Sequence, residues 1–150
     1  MVQLRDLSPA HQEAFTTLQT AIEWAESETF TLLFACCDDR ALRPELTQQF
    51  QTQTQFKVRE IYLEPDVWLA YETLKRELGN EHPQVLFVDG LDTAKDVIAA
   101  LRDWNAARNS FMRDFRFPVV IWLDRPVQRQ LLRVAKDLES WGTYVDFDEG

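Results

Sequence analysis

Four carboxylates stand directly after short apolar runs in this chain. Asp38 and Asp39 follow residues 30–36, Asp89 follows residues 85–88, and Asp124 follows residues 117–123. An apolar run that closes on an acid carries that acid to the end of a buried strand, so the four could meet at one edge of a sheet. Clustered carboxylates are hard oxygen ligands and suit magnesium. Arg40 and Arg43 follow the first pair closely and could face an anion or offset the acids. Asp38, Asp39, Arg40, Arg43 and Asp89 are therefore the candidate cofactor- or phosphate-facing set.

The loop that would hold phosphates is missing. A phosphate cradle of the form G-x-x-x-x-G-K-[ST] uses its glycines to wrap backbone N–H groups round the anion. Its lysine reaches the β and γ phosphates, and its hydroxyl ligates magnesium. The corresponding stretch here is Cys37-Asp38-Asp39-Arg40-Ala41-Leu42-Arg43-Pro44, and the first glycine of the chain is Gly79. Asp38 and Asp39 suit a helix N-terminus as cap and dipole partners, and the same charges oppose a triphosphate. Residues 85–90, Val-Leu-Phe-Val-Asp-Gly, have the form of a Walker B strand whose acid would help hold magnesium. Gly90 and Leu91 separate Asp89 from the next acid, Asp92, so no catalytic base follows directly. There is no G-x-S-x-G elbow. His11 falls in a helical first turn and His82 beside Pro83, positions typical of surface histidines. No catalytic residue, resident metal or cofactor is expected, and the chain reads as a non-enzyme.

Elements to position these residues are legible in the periodicity. Ser8-Pro9 marks a helix start, and Ala14, Phe15, Leu18, Ala21, Ile22 and Ala25 continue at helical spacing to about Ser27. A strand over 30–36 leads to a helix carrying Leu42, Leu46 and Phe50. Val58, Ile61 and Leu63 mark a second strand. Val67, Leu69, Tyr71, Leu74 and Leu78 mark a helix stopped by Gly79-Asn80. After the 85–88 strand, Thr93 opens a long helix reaching towards Phe111. The 117–123 strand precedes a last helix through Val127, Leu131, Val134 and Leu138, and residues 143–147 form a fifth strand. Alternation of helices with strands apolar on both faces predicts a three-layer α/β sandwich. Its sheet is mainly parallel and five-stranded, with helices on both faces and an extra helix at the amino end.

Composition narrows the partners. With 150 residues, 45% hydrophobic and 27% charged, the chain has the make-up of one globular domain over residues 1–150. Its formal net charge is -9. An acidic surface repels phosphate backbones and anionic lipid, so neither nucleic acid nor membrane is an expected partner. Apolar runs are strand-length, too short for a bilayer. Residues 1–6 lack the charge-then-apolar pattern of a secretory leader. The two cysteines, Cys36 and Cys37, are adjacent and would point to opposite faces of a strand, which predicts buried thiols in a reducing compartment, the cytoplasm.

Three stretches in the second half carry a resemblance. Asn105-x-x-Arg108 lies on the helix before the fourth strand. Pro118, Trp122 and Leu123 form a "P-hydrophobic-W-L" strand. Ala135, Asp137, Ser140 and Trp141 precede the fifth strand. The pattern resembles the P-loop-like domain of STAND-related bacterial, often cyanobacterial, multidomain signalling proteins. Lys136 stands where that family has proline and Gly142 where it has arginine. Some relatives likewise replace the first loop with a Cys/Asp-rich turn. The resemblance implies a degenerate P-loop NTPase-like domain without Walker A. Its expected role is a non-catalytic regulatory or interaction module that contacts a protein partner or a neighbouring domain. From the residues themselves, Trp104, Trp122 and Trp141 suit packing around the sheet edge, and Arg108 with Asp137 suits an ion pair that fixes the last helix. Two alternatives remain. One is a receiver-like domain that responds to magnesium and phosphate at Asp89. The other is a weak nucleotide binder using Asp89, Arg40 and Arg43.

Overall fold

The computed structural model describes residues 8–148, so the leader reading at residues 1–6 and Gly150 lie outside the described residues. The elements run α1 (Pro9–Glu23), β1 (Thr31–Cys36), α2 (Leu42–Gln53), β2 (Val58–Tyr62), α3 (Ala70–Leu78), β3 (Val85–Asp89), α4 (Val97–Ala106), α5 (Arg108–Asp114), β4 (Pro118–Leu123), α6 (Arg125–Val134), α7 (Lys136–Ser140) and β5 (Gly142–Asp146). Ser8 Oγ accepts from His11 N, and Pro9 occupies the first helical position, as the sequence suggests.

All five strands are parallel, in the order β2-β3-β4-β1-β5. The central strands β3 and β4 are buried along their whole length, and β1 at every residue but Thr31. The outer strands β2 and β5 are half exposed. Arg59 and Glu60 within β2 are the sequence's own mark of an edge, because a central parallel strand has no room for two charges.

Strand alternation sends residues to two cores. Leu33, Ala35, Val85, Phe87, Val120 and Trp122 face α1 and α2. Leu32, Phe34, Leu86, Val88, Val119 and Ile121 face α3 to α7. Each fully buried Leu, Val or Phe contributes roughly 1.5–3 kcal/mol, so two continuous layers suffice to hold the sandwich. Cys36 falls in one core and Cys37 in the other, both as free thiols.

Several element boundaries differ from the sequence reading. α1 stops at Glu23 and leaves Ala25 outside it, since Trp24, 83% exposed, has nothing to bury against. α3 starts at Ala70, with Val67 and Leu69 in the loop before it. Thr93 does not open a helix: it closes a 3-10 turn over Leu91–Thr93, and Asp96 caps α4 through Ala99 N at 3.0 Å. The two long helices each divide, at Ala107 and at Ala135, whose backbones leave helical geometry.

Candidate functional site: the carboxyl edge of β1, β3 and β4

Because β1 runs between β4 and β5 while its chain crosses to distant β2, the turn after β1 opens at a switch point of the sheet. In parallel α/β folds ligands sit there. The turn is Cys37 to Ala41, and α2 starts immediately after it. Cys37 N donates to Leu123 O at 2.9 Å, which ties the turn to β4.

Arg43, in the first turn of α2, is buried at this edge of the sheet. Its side chain is 1% exposed. Nε donates to Cys37 O at 3.0 Å, and Nη2 donates to the same carbonyl at 2.7 Å. Nη1 donates to Asp89 Oδ1 at 2.9 Å and Asp92 Oδ1 at 3.1 Å, and Nη2 donates to Asp92 Oδ2 at 2.5 Å. A guanidinium has five N–H donors, and here every one has an acceptor. Burial by itself would lower the pKa of Arg43. The hydrogen bonds and charge of Asp92, then those of Asp89, more than offset this and hold it above the ordinary range.

Asp89 and Asp92 are equally committed. Asp89 Oδ1 also accepts from Gly90 N at 2.7 Å. Gly90 has φ 94°, and a Cβ there would lie 2.4 Å from Leu63 O. Only glycine lets the chain reverse at this point and return Asp92 towards Arg43. Arg40, half exposed, reaches Asp92 at 3.7 Å and Asp124 at 3.2 Å, while Asp124 Oδ1 caps α6 through Val127 N at 3.0 Å.

Asp38 and Asp39 turn to different tasks. Asp39 Oδ1 accepts from Ala41 N at 3.1 Å, and Asp39 O accepts from Leu42 N at 3.1 Å. Pro44, two residues on, has no N–H. The start of α2 thus keeps little of the donor array by which helix N-termini hold anions. Asp38 Oδ1 accepts from Arg125 N at 3.0 Å, and its own N–H donates to Asp148 Oδ1 at 2.7 Å. Burial, then the neighbouring Asp38 and Asp146 charges, push Asp148 above the usual carboxylate range, against the Asp38 N–H bond and Arg125. The acids do share an edge, but they do not converge. Among the described residues no group of His, Cys, Asp or Glu could hold a metal ion.

Burial, followed by the charges of Asp146 and Asp148, pushes the Cys36 thiol up to about 12. Burial likewise raises Cys37 to about 12, against the pull of Arg43.

The second group of sequence candidates meets at the opposite layer, where α4 abuts α7. Ala135, the residue before α7, has no side chain that can cap it. Asn105 Oδ1 supplies the cap from α4, accepting from Leu138 N at 2.8 Å. Arg108 Nη1 donates to Asn105 O at 2.7 Å, its guanidinium lies 3.6 Å from Asp137, and it sits 5.9 Å from the Trp141 ring centroid. The three tryptophans do not share one edge. Trp104 is buried on the α3–α7 side, stacked on Phe111, with no hydrogen-bond partner for its N–H among the described residues. Trp122 is buried on the other side and donates to Thr47 Oγ1 at 3.2 Å. Trp141 is 37% exposed.

Asp92, set aside in the sequence because it does not follow Asp89 directly, is the site residue that the spacing missed. The signal was present as Asp-Gly-Leu-Asp, since a glycine after a strand-ending acid is what allows a second acid to fold back.

A five-stranded parallel sheet in this order, covered on both faces and with the β1–α2 turn at its carboxyl edge, defines a P-loop NTPase-like α/β fold. The order also corrects the receiver alternative, whose sheet runs 2-1-3-4-5. Among solved structures the chain is similar to a DNA replication initiation factor, with a TM-score of 0.57 at 16% identity over 97% of this chain. It spans about half of that structure, 50% of its length. No protein-family model and no curated protein matches the chain. No helix among the described residues is long and apolar enough to cross a membrane.

Proposed function

We propose that this chain is a non-catalytic interaction module built on a P-loop NTPase-like fold, with the nucleotide edge closed by its own arginine. The observation that carries the reading is the buried Arg43, whose five donors are all consumed by Asp89, Asp92 and the Cys37 carbonyl. A nucleotide would have to displace a charge-assisted network and then sit among Asp38, Asp39 and Asp124. Both steps are unfavourable.

Descent from a STAND-related bacterial signalling ATPase belongs to the same proposal. Its support is that two of the three motifs meet at one corner, Asn105 and Arg108 against Asp137 and Trp141. Two buried free thiols fit a reducing compartment such as the cytoplasm. The net charge of -9 favours a protein partner or neighbouring domain over nucleic acid.

Thermal unfolding with ATP, ADP or GTP plus magnesium tests this directly. A ligand at a hundred times its dissociation constant adds about 2.7 kcal/mol. The expected outcome is an unchanged midpoint. A nucleotide-dependent rise would sink the proposal and restore the weak-binder alternative through Arg40.

A further inference from the structure

The outer edge of the sheet, away from the closed carboxyl end, is built differently. Among the described residues β2 pairs only with β3. Lys57 O accepts from Gln84 N, and Leu63 N donates to Asp89 O, so the odd-numbered residues of this strand turn their peptide groups inward. Alternation then points the N–H and C=O of Val58, Glu60 and Tyr62 outward. Of these, among the described residues, Glu60 O alone has a side-chain partner, the Arg59 guanidinium at 2.5 Å.

A groove of about 440 Å³ runs along this edge between β2 and α3. Two large aromatics line it in the open, Tyr62 at 59% and Trp68 at 58% exposure. Its charge is one-sided. Glu64, Asp66, Glu72 and Glu77 are exposed along it, and none makes an ion pair among the described residues. Of the bases, Arg59 is already held by Glu81 at 3.2 Å, which leaves Arg76 as the other cation of the wall.

We propose that this groove binds an extended, basic polypeptide segment of a partner protein, added as a further strand along β2. This deepens the interaction-module reading and rests on it. Backbone pairing to the outward groups of Val58, Glu60 and Tyr62 supplies affinity without sequence demand. The acids of α3 and its preceding loop select lysine and arginine, and Trp68 and Tyr62 offer faces to the same cations. Arg59 covers one edge carbonyl and acts as a latch that the incoming strand must lift.

The test uses the 15N-labelled chain and two synthetic probes, an alternating Lys-Val heptapeptide and its Glu-Val counterpart. The Lys-Val probe is expected to shift the amides of Val58, Glu60 and Tyr62 and the Trp68 indole, and to weaken as salt rises. Trp68→Ala should weaken it about fivefold, the scale of one exposed cation–π contact. Arg59→Ala should tighten it by freeing the Glu60 carbonyl. Glu60→Pro removes one outward donor at a position where an edge strand tolerates proline. It should weaken binding while the rest of the spectrum keeps its dispersion. Equal binding of the Glu-Val probe, or shifts confined to other faces, would overturn the proposal. So would β2 shifts that grow with protein concentration alone, which assign the edge to a second copy. Magnesium–ATP added to the same sample separates the two readings. Shifts at residues 37–43 overturn the interaction-module reading, whereas silence there with no peptide response overturns the groove alone.

Discussion

Two arginines at two edges of one sheet do opposite things. Arg43 and Arg59 each lie against backbone carbonyls and carboxylates. Arg43 is 1% exposed and touches three acceptor groups inside the fold, whereas the Arg59 side chain is 31% exposed and lies across an open strand edge. Burial makes the first part of the core, because a charge taken from water must keep every partner. Exposure leaves the second replaceable, since water can take up any bond it gives up. The same residue types therefore close one edge and leave the other open to a partner.

The largest test of that contrast is Arg43→Met. It leaves Asp89 buried without a counter-ion and Asp92 with only the looser contact to Arg40 at 3.7 Å, and urea unfolding should show a loss of about 3–5 kcal/mol. The triple variant Arg43→Met/Asp89→Asn/Asp92→Asn should recover much of it, because removing all the charges together removes the penalty. A loss below about 1 kcal/mol for the single change would mean that the network does not hold this edge.

Next in size, counted per pH unit, is an alkaline effect. Cys36 and Cys37 titrate near 9 when unfolded and at about 12 in the fold. An acid whose folded pKa is raised holds its proton longer when folded. Its stabilising contribution is therefore intact below pH 9 and falls as pH rises from 9 towards 12. Each thiol should cost about 1.4 kcal/mol per pH unit in that window. Chemical unfolding at stepped pH checks this, and Cys36→Ala/Cys37→Ala should remove that part of the slope. At neutral pH both thiols should react with a thiol reagent only at the rate of opening.

Smaller still is Asn105→Ala, which strips the cap from α7 and should cost about 1 kcal/mol. Smallest is Arg59→Met, expected within about 1 kcal/mol in thermal unfolding. A cost for Arg59→Met that rivals Arg43→Met would erase the distinction between the two edges.

Much of the layout was legible because hydrophobic period and strand-ending acids are local signals. The fully apolar runs gave β1, β3 and β4, and Ser8-Pro9 gave the start of α1. The splits at Ala107 and Ala135 were not legible, since alanine carries no local mark of a break; at Ala135 the new helix start is capped from a distance by Asn105. The arginine plug was half legible. Arg43, Asp89 and the missing loop could be read, yet their mutual contact depends on Gly90 reversing the chain. Spacing alone placed the acids together as ligands for magnesium. It could not tell that a guanidinium from α2 would reach them first.

The order of the strands also governs how the molecule comes into being. β1 is the first strand among the described residues, yet Thr31 pairs with Pro118 and Leu32 with Gly142. As the polypeptide leaves the ribosome, that strand must wait for the last third of the sequence before either flank is covered. Such long-range pairing slows folding and lengthens the interval in which an apolar segment is exposed to aggregation. Cys36 and Cys37 sit at the end of that waiting strand. They are open to oxidants and alkylating agents during birth, and sealed once the final strand docks.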